Sequence, residues 1–334
     1  MIGGGVVGYL PSPSDNHWGP FHFYGLCIAL GVFAGVEIAT RRWRDRGGDP
    51  DDMWAIAIWA IPAGLIGARV YHLITDWKTY IPHDPSGMYK IWDGGLGIPG
   101  GIAAGVGVGV WVAHRRGIHL SVGLDAVAPA MAVAQAIGRW GNWFNQELFG
   151  GPTKLPWGLE ISLVHRPAGY VQYATFQPTF LYESLFNLAL AGALVLLDRR
   201  RVVRPGRIFA LYIGGYAFGR FFVEAMRIDH ASRILGIRVN LWVSAITFLA
   251  VALFLLVKGL RRRPDDSWDP YLDGHRFGDP TDGADDDPDV AERLDAADGG
   301  EPPEGDDQHE GPDPTGEPDR VEAPDPTSAS EQGG

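Results

Sequence analysis

The stretch GRWGNWFNQELFG, residues 138–150, places an arginine, two asparagines and a glutamate where an apolar run beginning at Val122 should end. An arginine inside a membrane segment costs roughly 2.5 kcal/mol or more on insertion scales, so Arg139 is expected to face protein or a polar cavity. A second polar series, Tyr216, Arg220, Glu224 and Arg227, falls at i, i+4, i+8 and i+11, which is one face of a helix. Glu224 can pair with either arginine of that series and leave the other guanidinium fork free. Arg227 alone reads as a side chain snorkelling to the membrane surface. Arg220 lies deeper. Two deep guanidiniums, Arg139 and Arg220, with few carboxylates near them suit a bound anion, and arginine matches phosphate bidentately.

A third candidate is WDGGLGIPGG, residues 92–101. Consecutive glycines before a helix can turn backbone N–H groups towards a phosphate, and the helix start adds partial positive charge. Gly94, Gly95, Gly100 and Gly101 would form that cradle, and Pro99 suits a first helical turn. Gly101, Gly105 and Gly109 also make a small-xxx-small stripe, which reads as helix packing. His72, His165 and His230 share no ligand spacing with each other or with acids, so neither a metal nor a cofactor is expected. No P-loop, dinucleotide glycine pattern or Ser/His/Asp ordering is present. The lone Cys27 lies in an apolar run and reads as a small buried side chain; it excludes an internal disulfide.

These side chains need a frame that keeps them out of lipid. The chain has 334 residues, 46% hydrophobic, and a net charge of −12 that belongs to one part only. From Pro264 onward there are 24 Asp/Glu against 3 Lys/Arg, whereas residues 1–263 hold 16 acids and 25 bases. Residues 264–334 cannot bury enough apolar surface to offset ordering entropy, so a disordered acidic tail is expected. The acidity therefore carries no information about a substrate.

Seven segments have the length of membrane helices, about 20 mostly apolar residues each. They are residues 20–40, 53–75, 96–113, 122–144, 179–197, 208–226 and 239–257. Bases cluster after the odd-numbered ones: Arg41, Arg42, Arg44 and Arg46; His114, Arg115 and Arg116; Arg199, Arg200, Arg201 and Arg204; Lys258, Arg261, Arg262 and Arg263. By the positive-inside rule these clusters are cytoplasmic, which also accounts for them without nucleic acid. The expected fold class is an all-α integral membrane protein with seven transmembrane helices in residues 20–263. Its N-terminal segment, 1–19, lies outside without the marks of a cleaved signal peptide. Residues 146–178 make a small external head between the fourth and fifth helices, and the tail is cytoplasmic. Tyr24, Arg69, Asp93, the glycine loop, Arg139, Asn142, Arg220, Glu224 and Arg227 then gather in the outer leaflet. Glu37 is the main exception, paired with Arg41 one turn on.

The motif GRWGNWFNQELFG resembles the signature of the bacterial prolipoprotein diacylglyceryl transferases. So do Phe23-Tyr24-Gly25, Gly67-Ala68-Arg69, Asp93-Gly94-Gly95, Pro178-Thr179-Phe180-Leu181-Tyr182-Glu183 and Gly219-Arg220-Phe221-Phe222-Val223-Glu224-Ala225-Met226-Arg227. They occur in family order across residues 20–260, with the tail outside the match. The resemblance implies a multi-pass enzyme of the bacterial cell membrane, seven helices and an external head, with its active site in the outer leaflet. Such an enzyme moves the diacylglyceryl group of phosphatidylglycerol to the lipobox cysteine thiol of a prolipoprotein. A thioether forms and glycerol phosphate leaves.

The same resemblance implies the residue roles. Arg139 and Arg220 hold the phosphate and stabilise the departing charge. Asn142, Asn145 and Glu147 orient the headgroup or fix Arg139, and Glu224 positions Arg220 or Arg227. Tyr24 and Tyr216 offer hydroxyls. Gly150, Arg69, Arg227, Gly94, Gly95, Gly100 and Gly101 complete the substrate-binding set. One position departs from the family pattern: many members carry a histidine where this chain has Pro99. The thiol proton then goes to His22, Tyr24, Glu147 or the leaving phosphate. Alternatively no dedicated base exists and the arginines lower a thiol pKa of about 8.5, which is the preferred reading. The rival readings are an anion transporter using the same arginines and a purely structural scaffold. A transporter predicts access from both faces and internal repeats, and no repeat is visible. A scaffold leaves the deep arginines unexplained.

Overall fold

The computed structural model describes residues 9–19, 21–80, 85–90 and 94–272. Asp93, the first eight residues and the acidic chain beyond Leu272 lie outside the described residues. The architecture is a helical bundle of α1 (Phe23–Arg44), α2 (Pro50–Thr75), α3 (Ile98–Arg115), α4 (Leu120–Phe144), α5 (Thr179–Arg199), α6 (Arg207–Met226) and α7 (Val239–Lys258).

Six of these helices are long and apolar enough to cross a membrane, as befits a multi-pass membrane protein; α3 is not among them. It has 18 residues, five of them glycine, and it ends in His114-Arg115. Seven spans were expected, and composition alone supports six. Large apolar side chains on α7 such as Ile246, Leu249, Leu253 and Leu256 are exposed, as a lipid-facing surface requires.

Local chemistry sets the helix ends. Asp49 caps α2 by accepting the Asp51 N–H at 2.8 Å, and Pro50 fills the first position, where no N–H is needed. At α6 the cap comes from another helix. Asp125 of α4, fully buried, accepts the N–H groups of Gly206 at 2.7 Å and Phe209 at 2.9 Å. Asp125 is thus a buried acid far from the head, which the one-sided distribution of polar groups expected from sequence had left out. The expected Glu37–Arg41 pair is present at 2.8 Å.

The bundle is organised around α4, which packs on α1, α5 and α6. Half of its apolar window (50%) is buried, against 6% for α7. Buried Ala126, Ala128, Ala130, Ala132 and Ala136 let the neighbours approach closely. α2 and α3 form another close pair: a Cβ on Gly100 would stand 2.3 Å from the Gly67 carbonyl oxygen. Gly101 and Gly105 meet Gly64, and Gly109 meets Ala60, so the small-residue stripe is a packing seam as expected.

Residues between α4 and α5 fold into a small head. Leu159–Glu160 and Thr175–Phe176 pair antiparallel, and Phe149, Leu159, Ile161, Phe176 and Phe180 form its core. Leu10 joins by two backbone hydrogen bonds of 2.9 Å, to Gly158 and Glu160. At the opposite, basic end, the start of the tail is ordered. The Tyr271 hydroxyl donates to Asp52 at 2.6 Å, and Asp52 also pairs with Arg116 at 2.8 Å. Residues 264–272, counted with the acidic tail on composition, rest against the bundle through Tyr271, which packs with Trp43.

Candidate functional site

Three helix ends meet beneath the head. Arg139 lies in the last two turns of α4, Glu183 in the first turns of α5, and Arg220 and Glu224 in the last two turns of α6. Glu183 joins them. Its Oε1 stands 2.6 Å from Arg139 Nη2 and its Oε2 stands 3.2 Å from Arg220 Nη1. Only 5% of its side chain is exposed, against 20% for Arg139 and 15% for Arg220. The two arginines expected to converge do converge, on a carboxylate from a third helix.

Arg220 also donates to Glu224 Oε2 at 2.6 Å, within the expected i, i+4 face. Glu224 is fully buried and is shared more widely than its own helix suggests. Arg238 Nε donates to Oε1 at 2.7 Å, Asn240 Nδ2 donates to the same oxygen at 3.2 Å, and Arg227 Nη1 lies 3.4 Å from Oε2. Arg227 does not snorkel: its side chain is 7% exposed and binds Asp229 through two hydrogen bonds of 2.7 and 2.9 Å. Arg238 reaches the same aspartate at 3.2 Å. Burial works against the charge on Asp229, but the hydrogen bonds and charges of Arg227 and Arg238 outweigh it and hold the carboxyl below the usual range. The expected shortage of carboxylates is therefore corrected: Glu183 and Asp229 join Glu224 among the arginines.

On the α4 side, Arg139 Nη1 donates to Asn142 Oδ1 at 3.3 Å. Asn142 and Asn145 both donate to Glu147 Oε1, at 2.9 and 3.3 Å. The backbone around Glu147 is unusual, with Gln146 at φ 49° and Leu148 at φ 58°. Left-handed conformations cost a non-glycine residue about 1–2 kcal/mol each. They persist because the Gln146 amide is pinned to Pro13 and Ser162 (3.1 and 2.9 Å) and Leu148 O accepts from Thr179 at 2.6 Å. Gly150 follows, where a side chain would stand 2.8 Å from Gln177 and 3.1 Å from Met226 O. The signature stretch is thus a strained turn tying α4, the head and α6 together.

Other candidates take different places. Tyr24 lies against Gly141, near enough to feel the charges of Arg139 and Glu147. Tyr216 stacks on Tyr212 at 6.3 Å within the α4–α5–α6 core; among the described residues its hydroxyl makes no hydrogen bond to the arginines. Arg69 binds the backbone carbonyls of Gly87, Met88 (3.0 Å), Gly94 (2.5 Å) and Gly95 (2.9 Å). Its guanidinium is therefore held by carbonyls of the glycine loop and of residues 87–88. Gly94 and Gly95 have φ of 90° and 72°, and a side chain on Gly95 would meet His72 at 2.5 Å. Gly100 and Gly101 face α2.

Glu183, Arg238 and Asp229 had no assigned role in the sequence reading. One signal was available for Glu183: Thr179, Glu183 and Asn187 repeat every four residues along an apolar span, and all three are buried. Asn187 is fully buried, and neither of its amide atoms has a partner among the described residues.

Arg139, Asn142, Leu148, Thr179, Phe180, Glu183 and Arg227 line a closed crevice between these groups, with no free space for even one water molecule. It is narrow, with anionic and cationic groups facing each other across it. The profile of the prolipoprotein diacylglyceryl transferases matches residues 17–257, which includes every residue of this site. The chain belongs to that family. A phosphatidylglycerol–prolipoprotein diacylglyceryl transferase of Streptomyces coelicolor is 48% identical over 262 residues, 76% of this chain and 82% of the relative. Proteins of the same name from Frankia alni and Paenarthrobacter aurescens are 49% and 44% identical, over 78% and 80% of this chain and 70% and 92% of theirs. Membership of this transferase family gives the anion-transporter reading no support.

Proposed function

We propose that this membrane transferase moves the diacylglyceryl group of phosphatidylglycerol to the lipobox cysteine thiol of prolipoproteins, the first step of lipoprotein maturation. The observation that carries the reading is the convergence of Arg139 and Arg220 on one carboxylate, 2.6 and 3.2 Å away. Two guanidiniums from separate helices are aimed at a single negative group. A phosphodiester carries the same single charge as that carboxylate, so the two guanidiniums that hold Glu183 can hold it instead once Glu183 swings aside to make room.

In the reaction the thiolate sulfur bonds to the terminal glyceryl carbon as that carbon's bond to the phosphate oxygen breaks. The electron pair leaves with the phosphate, and Arg139 and Arg220 stabilise the charge that grows there. Asn142 fixes Arg139, Glu224 fixes Arg220, and Arg238 and Asn240 fix Glu224. The thiol proton passes to the leaving phosphate, helped by arginines that favour the thiolate. The narrow cleft keeps out water, which would otherwise compete as nucleophile.

The orientation belongs to this proposal as well. All seven helices cross the bacterial cell membrane, with the N-terminus and head outside and the basic end and acidic tail in the cytoplasm. The site then lies in the outer leaflet, where the acyl chains stay in lipid and the acceptor peptide arrives from outside. Purified protein in phosphatidylglycerol vesicles, given a lipobox peptide, should yield the peptide with one diacylglyceryl mass added. Arg139→Gln and Arg220→Gln should each lower that yield by about 10²–10³-fold. Full activity in either variant would overturn the assignment.

A further inference from the structure

The basic end of the bundle holds a cavity of about 480 Å³ between the ends of α1 and α5, with the start of the tail as its third wall. Five arginines line it against two aspartates. A cluster of bases beside a membrane helix ordinarily needs no more than the positive-inside rule to explain it, because such side chains extend into water. Arg46 does not extend into water. Only 5% of its side chain is exposed; Nη1 donates to the Arg42 carbonyl at 2.7 Å and Nη2 to Asp198 at 2.6 Å. Its Nε is buried without a partner among the described residues, and so is the indole Nε1 of Trp268, another residue of the lining.

Both orphan atoms are donors, and neither side chain has an acceptor to offer, so the missing ligand is an acceptor. The charge surplus makes it an anion. The nearest acid does not fill the need, because Asp198 Oδ2 is shared between Arg46 at 2.6 Å and Arg42 at 3.1 Å. Arg201 stacks over the Trp268 ring at 5.3 Å, holding a further guanidinium at the mouth. Ile38 and Val195 line the side that continues into the apolar span. An arginine-rich recess with an apolar flank at a membrane boundary suits a phosphate group on a lipid.

We propose that this cavity is a second, non-catalytic anion site that takes a phosphate ester, either the headgroup of an anionic phospholipid in the leaflet at the basic end or a soluble phosphate monoester. On binding, the Arg46 and Trp268 side chains turn their unpartnered donors onto the phosphate, and Arg201 closes over it. The site stands apart from the Arg139–Arg220 cluster and does not depend on the transfer reaction. Occupancy ties α1, α5 and residues 264–272 together, so the ligand stabilises the fold.

The test titrates full-length protein in zwitterionic micelles with phosphatidylserine in one arm and glycerol 3-phosphate in the other. Native mass spectrometry counts bound ligand, and the rise in melting temperature reports its linkage to folding. Saturable binding is expected, with half-saturation about tenfold weaker in Arg46→Gln and in Arg201→Gln, as for loss of one charge-assisted hydrogen bond. Arg201 is exposed, so its variant keeps the fold if Arg46→Gln does not, and the same titration of Arg139→Gln measures the share of ligand held at the Arg139–Arg220 cluster, which is subtracted. Binding of phosphatidylserine alone assigns the lipid, and binding of glycerol 3-phosphate alone assigns the soluble ester. Where both bind, the tighter names the source. No saturable binding in either arm, or binding unchanged in Arg201→Gln, overturns the proposal.

Discussion

Arg139 and Arg220 belong to different helices yet are held by the two oxygens of one carboxylate, that of Glu183, at 2.6 and 3.2 Å. Two like charges brought together in a mostly buried place repel unless an anion lies between them. Glu183 meets that need within the protein, and it does so where the donor's phosphate is proposed to bind.

Glu183→Gln keeps the size of the side chain and removes the charge. Breaking a buried ion pair from one side costs about 3–5 kcal/mol, and the partial exposure of both arginines puts this case near the lower end. Melting in neutral detergent should show that loss. Adding phosphatidylglycerol should restore part of it, because a phosphodiester supplies the missing charge. Absence of any recovery would count against an anion site at these arginines.

Arg238→Gln removes a cation that sequence reading did not single out. It leaves Glu224 without its 2.7 Å partner and Asp229 without one of its two arginines. A loss of about 2–4 kcal/mol is expected. The defect in transfer should follow the mobility of Arg220, lowering kcat more than it raises KM for lipid.

Asp229 sets a pH dependence. Its carboxyl is held below the usual range in the folded protein, so it contributes stability above the unfolded value of about 3.9. That contribution is lost as pH falls through the lower folded value. Melting temperature should therefore drop more steeply on acidification in the wild type than in Asp229→Asn, which has no such proton to gain. Parallel curves would show that Asp229 is not linked to folding.

Gly100→Ala tests the α2–α3 seam. A methyl there would stand 2.3 Å from the Gly67 carbonyl oxygen, so the helices must separate at a cost of about 1–3 kcal/mol. Gly107 has nothing within 4 Å of an added Cβ, so Gly107→Ala should instead stabilise by roughly 0.5–1 kcal/mol through helix propensity. Melts of the two variants should move in opposite directions.

The proposed orientation is open to a direct check, because Cys27 is the sole cysteine. In a Cys27→Ser background, a cysteine replacing Val164 in the head should react with an impermeant maleimide on intact cells. One replacing Leu260 at the basic end should react only after lysis. The reverse pattern would invert the bundle.

The sequence by itself determined that this is a membrane bundle, because lipid makes every residue of a span declare its polarity along the chain. It also determined that Arg220, Glu224 and Arg227 share a face, since a helix converts spacing into azimuth, and that Arg139 ends its span beside two amides. Only the tertiary structure decided which acids answer those arginines. Glu183 and the base Arg238 come from other segments, and pairing between segments depends on relative depth and rotation, which periodicity within one helix does not contain; Asp229 lies two residues past Arg227, beyond the helix end where that periodicity stops. The same reason gives Arg69 to the glycine loop's carbonyls and Asp125 to the start of α6. Both side chains are polar groups in apolar runs, and only the approach of a second piece of backbone says what each one holds.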